Sequence, residues 1–193
     1  AQPMLLLHGG GQTAHSWDEF SRSMMGRYHV IALDQRGHGD SQWSSRRIYS
    51  LTAQLRDITR FVDRLHLRRV ILIGLSMGGR NAIAYAAVHP KNLQRLVIVD
   101  IGPESSEEAQ KQWGSRAPAP TEFDSLDGAI ASARENNPWV ADDRLRQDVS
   151  DRFTQRQNGK WTAKADPALT AGPLRDGTDQ DLIRRKEDGY FQM

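Results

Sequence analysis

The run Gly74-Leu75-Ser76-Met77-Gly78-Gly79 places one hydroxyl among glycines. A serine hydroxyl is a weak nucleophile until a base takes its proton, and it is useful only when the backbone lifts it clear of its neighbours. Glycine two residues before and two after a serine permits the sharp strand-to-helix turn that does so. The flanks fit that context: Val70-Ile-Leu-Ile73 reads as a buried strand, and Gly79 to Val88 as a helix ended by His89-Pro90. Ser76 would stand at the helix N-terminus. The Met77 N–H would point at a developing oxyanion in the field of the helix dipole. The plain alternative is a close-packed turn that merely contains a serine.

An oxyanion needs a second donor. His8-Gly9-Gly10-Gly11 follows an apolar run, Pro3 to Leu7, and glycines there let backbone approach a substrate oxygen, so the Gly10 N–H is the candidate. A phosphate-cradling loop is disfavoured, because neither a terminal GK[ST] nor the GxGxxG spacing is present.

The elements that position these residues alternate. Pro3–Leu7, His29–Leu33, Val70–Gly74 and Leu96–Asp100 read as strands, and residues 13–25, 50–65 and 79–88 as helices. Continuous apolar strands between helices predict an α/β domain, with a mostly parallel sheet covered on both faces. After Asp100 the character changes. Charged amphipathic stretches at 126–135 and 144–156, separated by Pro118-Ala-Pro120, Asn137-Pro138 and Asn158-Gly159, predict a mostly helical insertion. Trp113, Trp139 and Trp161 are its expected anchors. The division is a core over residues 1–101 and a cap over 102–193.

Composition narrows the function. The 193 residues carry 26 Lys+Arg against 24 Asp+Glu, a formal charge of +2, too little and too interspersed for a nucleic-acid surface. No cysteine is present, so disulfides, thiolate chemistry and Cys-based zinc sites are excluded. The six histidines are scattered without metal-ligand spacing, and no cofactor is implied. No apolar run approaches a membrane span, and the first residues lack a basic leader, so the expected compartment is the cytoplasm. Oligomeric state is not legible.

HGGGQTAHSW (8–17), DQRGHGDS (34–41), GLSMGG (74–79) and VDIGP (99–103) together resemble the α/β-hydrolase superfamily, within it the capped small-molecule serine hydrolases. The resemblance spans about the first 103 residues and includes the (E)-2-(acetamidomethylene)succinate hydrolases and the enol-lactonases. It implies an eight-stranded sheet with a helical cap after the sixth strand. By this mapping the chain begins at the family's third strand and stops inside or just after the cap, as a piece of a protein of ordinary family length would. The resemblance also implies a Ser, acid, His triad. Asp100 stands where members with the acid after the sixth strand carry it; the other reading of Asp100 is a strand-end residue capping the loop. The family's histidine follows the eighth strand, and all six histidines here lie at or before His89. His8 and His38 are expected to hold loops, and His15, His29, His66 and His89 to lie on the surface or cap elements.

The expectation is an enzyme, a serine hydrolase of a small ester, lactone, thioester or amide working through an acyl-enzyme. Ser76 and Asp100 are catalytic, Gly10 and Met77 form the oxyanion hole, and His8, Arg80 and Trp139 line the substrate pocket. Arg80, Arg116 and Arg134 are possible clamps for a substrate carboxylate, though surface charge is the plainer role for each. A carbon–carbon bond hydrolase and a cofactor-free haloperoxidase use the same elbow in this family. From another class, a non-catalytic protein would use the pocket as a small-ligand receptor, which the missing histidine favours and the complete elbow disfavours.

Overall fold

A computed structural model describes residues 1–102 and 120–169. Four strands, β1 (Gln2–Leu7), β2 (Tyr28–Leu33), β3 (Val70–Leu75) and β4 (Leu93–Val99), form a parallel sheet in the order β2-β1-β3-β4. Their side chains alternate between two apolar cores, because successive residues of a strand face opposite sides. Leu5, Leu7, Val70 and Leu72 meet Leu55, Ile58, Val62, Ala82 and Tyr85, which come from helices α2 (Leu51–Arg64) and α3 (Met77–Val88). Met4, Leu6, Ile71 and Ile73 meet Trp17, Phe20 and Met24, around helix α1 (Asp18–Met24). Burial on both faces is why β1 from Pro3 to Leu7 and β3 throughout are continuously apolar rather than apolar at alternate positions only.

The strand order puts the function-bearing loops together. From β1 the chain steps outward to β2, then crosses back so that β3 lies on the other side of β1. The crevice at the carboxyl ends of β1 and β3 is thus the switch point of the sheet, where ligands bind in open α/β folds. The two glycine-rich segments, 8–11 and 74–79, leave the sheet there.

Beyond the sheet, helices α4 (Leu126–Asn136) and α5 (Asp142–Arg152) pack through buried Ala129, Leu145 and Val149. Strands β5 (Glu122–Phe123), β6 (Phe153–Gln155) and β7 (Trp161–Ala163) form a small antiparallel sheet in the order β5-β7-β6. The Phe123 and Phe153 rings meet edge to face, 5.5 Å apart. A helix is present at each expected stretch, but the second ends at Arg152, and residues 153–155 of the expected 144–156 are strand. The small sheet was not anticipated, because strands of two or three residues are too short to display an alternating pattern. Trp161 lies half-buried in β7, whereas Trp139 is 92% exposed between α4 and α5. Trp113 and Arg116 lie outside the described residues.

This second region lies against the loops of the first. Arg144 pairs with Glu19 at 2.9 Å, the Asp166 N–H donates to the Gly37 carbonyl at 2.8 Å, and the Tyr49 hydroxyl donates to the Asp166 carboxylate. Among the described residues, no helix is long and apolar enough to cross a membrane, and no cluster of potential metal ligands occurs.

Candidate active site

β3 ends at Leu75 and α3 begins at Met77, so Ser76 is the whole turn. Its φ of 49° and ψ of −110° lie in a sparsely populated region, a strain of about 1–3 kcal/mol that the surroundings must hold. The glycines explain how. A Cβ on Gly74 would fall 2.3 Å from the Gly78 carbonyl oxygen, and one on Gly78 would fall 2.3 Å from the Leu7 carbonyl oxygen. Helix α3 therefore begins pressed against β1 and β3, an approach that no larger residue allows. The Ser76 N–H donates to the Val99 carbonyl at 2.9 Å, which ties the turn to the end of β4.

Asp100 follows directly, exposed, with φ 61°. Among the described residues Ser76 and Asp100 are two of five non-glycine positions with positive φ. Backbone conformations of this kind gather at functional sites.

The glycine loop after β1 faces the elbow. A Cβ on Gly9 would lie 3.6 Å from the Ser76 Cβ, and one on Gly10 would lie 4.0 Å from the Met77 Cβ. Neighbouring amides of this loop are engaged: Gly9 N–H donates to Gln12 Oε1 at 2.9 Å, and Gly11 N–H to His38 Nε2 at 3.1 Å. Between them, the Gly10 N–H has no acceptor among the described residues, and neither does the Met77 N–H at the start of α3. Two unused donors flank Ser76, and helix α3 adds its positive end.

A buried polar network fixes this loop. His8 Nδ1 donates to the Gly9 carbonyl at 2.8 Å, because a carbonyl can only accept, which leaves Nε2 to accept from the Gln35 N–H at 3.0 Å. Gln35 Nε2 returns a bond to the His8 carbonyl at 2.7 Å, and Asn81 Nδ2 donates to Gln35 Oε1 at 2.7 Å. His38 repeats the pattern: Nδ1 donates to the Arg36 carbonyl and Nε2 accepts from Gly11. Desolvation by burial lowers the His8 pKa to about 4, outweighing the bond to Gly9, and desolvation lowers that of His38 as well. Both imidazoles are neutral and fully engaged, so neither is a base for Ser76. His89 shares a hydrogen bond with Thr59, and His15 with Asp18, away from the elbow.

The site residues expected from sequence divide accordingly. Ser76, Met77, Gly10 and Asp100 converge on the carboxyl edge of the sheet. His8 sits beneath the loop, wholly buried, and supports it rather than lining a pocket. Arg80 is exposed on α3, and Trp139 projects into solvent. Arg134 is held by Asp142 and by the carbonyls of Asn137 and Val140. Arg152, which sequence reasoning missed, reaches from the end of α5 and donates through Nε to the Gly11 carbonyl at 2.9 Å.

A family profile described as alpha/beta hydrolase fold matches residues 2–156. Esterase Rv0045c of Mycobacterium tuberculosis is 31% identical over 182 residues, 89% of this chain and 59% of its own length. The sn-1-specific diacylglycerol lipase ABHD11 of Danio rerio is 30% identical over 176 residues, 82% of this chain and 51% of its own. The structure of E-2-(acetamidomethylene)succinate hydrolase superimposes with a TM-score of 0.80 at 25% identity, covering 94% of this chain and 66% of that one. The chain thus spans about half to three-fifths of the length of these curated relatives.

Proposed function

Because the chain belongs to the α/β-hydrolase fold family, we propose that it carries the nucleophile, the acid and the oxyanion hole of a serine hydrolase acting on a small ester. Ser76 Oγ attacks the scissile carbonyl carbon while its proton passes to a histidine. The carbonyl oxygen, now an anion, accepts from the Gly10 and Met77 N–H groups. Collapse of the tetrahedral species returns the proton to the leaving alcohol and leaves Ser76 acylated; water, activated by the same histidine, releases the acid. Asp100 orients that histidine and stabilises its charged form. The described histidines do not serve, so the reading puts this one in the additional sequence by which the relatives exceed this chain. Residues 120–169, lying over the core loops, act as a cap above the site.

The observation that carries this reading is a pair of neighbouring amides, Gly10 and Met77, without acceptors among the described residues, next to a strained serine. An open N–H is ordinary at the first residue of a helix, so the Gly10 N–H is the member of the pair that packing does not explain. Among esters, lactones, thioesters and amides, the names of the two curated relatives favour esters. The test is hydrolysis of 4-nitrophenyl butyrate by the protein, by its Ser76→Ala variant and by its Asp100→Asn variant. Turnover abolished by the first and reduced at least about a hundredfold by the second supports the assignment. Turnover that survives Ser76→Ala refutes it.

A further inference from the structure

Arg152 ends helix α5, and its side chain lies half-buried against the loop that carries Gly10. Its Nε is committed to the Gly11 carbonyl, and its Nη2 lies 3.8 Å from the position a Gly11 Cβ would take. Among the described residues no carboxylate forms an ion pair with it. Asp148, one helical turn earlier, acts on it only through space and is itself paired with Arg144 at 3.8 Å. A partly desolvated guanidinium with no counter-charge among the described residues is costly, and its terminal nitrogens keep donors that no described residue uses, in a planar fork that matches a carboxylate.

The position of that fork is informative. Gly9 stands beside Ser76, Gly10 beside Met77 and Gly11 beside Arg152. Residues 9–12 form a tight turn, closed by the Gln12 N–H on the Gly9 carbonyl at 3.2 Å, with the nucleophile beside its first residue and the guanidinium beside its third. A short acyl chain laid along it would bring its far end to Arg152.

We propose that Arg152 determines specificity by binding a carboxylate on the acyl part of the substrate, so that the preferred substrates are monoesters of short dicarboxylic acids. This rests on the serine-hydrolase reading above and adds the substrate class to it. The tie from Nε to Gly11 orients the fork, and the incoming carboxylate supplies the counter-charge that no described residue provides. The desolvated setting, which also lowers the arginine's pKa, strengthens the pairing once the anion is seated.

Two measurements separate this inference from the reading on which it rests. The first compares kcat/KM for mono-4-nitrophenyl glutarate and 4-nitrophenyl butyrate in the protein, Arg152→Gln and Arg152→Lys. The expected result is an anionic-to-neutral ratio that falls about tenfold or more in Arg152→Gln, chiefly through KM for the glutarate, and less in Arg152→Lys, which keeps the charge without the fork. If both esters lose activity in step and the ratio stands still, Arg152 merely ties the loop and the proposal is overturned. If Arg152→Gln does not fold, Arg152→Lys decides by the same ratio. The second measurement is calorimetric binding of glutarate to Ser76→Ala, with and without Arg152→Gln. Affinity that falls about tenfold with the arginine upholds the proposal even if no ester is cleaved. Absent or unaltered glutarate binding overturns it, whatever the esterase result.

Discussion

Acid should loosen the glycine loop before it unfolds the sheet, and the buried histidines set the magnitude. Protonating His8 places a proton on Nε2 where that atom accepts from the Gln35 N–H at 3.0 Å, so two donors would face each other at a residue wholly buried from solvent. In the folded protein the His8 pKa is lowered from 6.5 to about 4, desolvation being the main cause. The unfolded chain therefore binds the extra proton across that window. Stability is fully present above about pH 6.5, falls as the pH drops towards 4, and loses nothing further from His8 below that. At about 1.36 kcal/mol per pH unit the interval amounts to about 3 kcal/mol, and His38, lowered for the same reason, adds in the same direction. Urea unfolding at pH 7, 6, 5 and 4.5 measures the slope, and a His8→Gln variant isolates the share of this residue. The variant is expected to be less stable at pH 7, yet to show a shallower slope by up to one proton, about 1.4 kcal/mol per pH unit. Identical slopes, or imidazole ¹⁵N shifts that show His8 titrating near 6.5, would refute the reasoning.

Gly78→Ala puts a methyl 2.3 Å from the Leu7 carbonyl oxygen, where only backbone could move; a loss of about 3 kcal/mol or more is expected in denaturant midpoint, with activity lost in the folded fraction. Ser76→Gly and Ser76→Ala both remove the hydroxyl, but only glycine tolerates φ 49° freely. Ser76→Gly should therefore melt higher than Ser76→Ala, by about 1 kcal/mol; equal stability would mean that the turn stores no strain.

The core and the elbow were legible because their causes are local. Strands buried on both faces show as unbroken apolar runs, and the crowding at Gly74 and Gly78 is written in residue types. What holds the loop was not legible, since its partners are far apart in the chain: His8 and Gln35 by 27 residues, Gln35 and Asn81 by 46, Gly11 and Arg152 by 141. No local pattern distinguishes Arg152 among 26 basic residues. Trp139 misled for the opposite reason. Its type suits a pocket, but the turn between α4 and α5 leaves it in solvent, while Arg134 is committed to nearby carbonyls and Asp142.

The central claim is that Ser76 is an activated nucleophile facing an oxyanion hole. Intact mass before and after a fluorophosphonate probe, with peptide mapping, tests it most directly. The account predicts a single phosphonyl adduct on Ser76, formed with loss of fluoride and absent from Ser76→Ala. A protein that hydrolyses its ester while Ser76 stays unlabelled, or that takes the label on another residue, would contradict it.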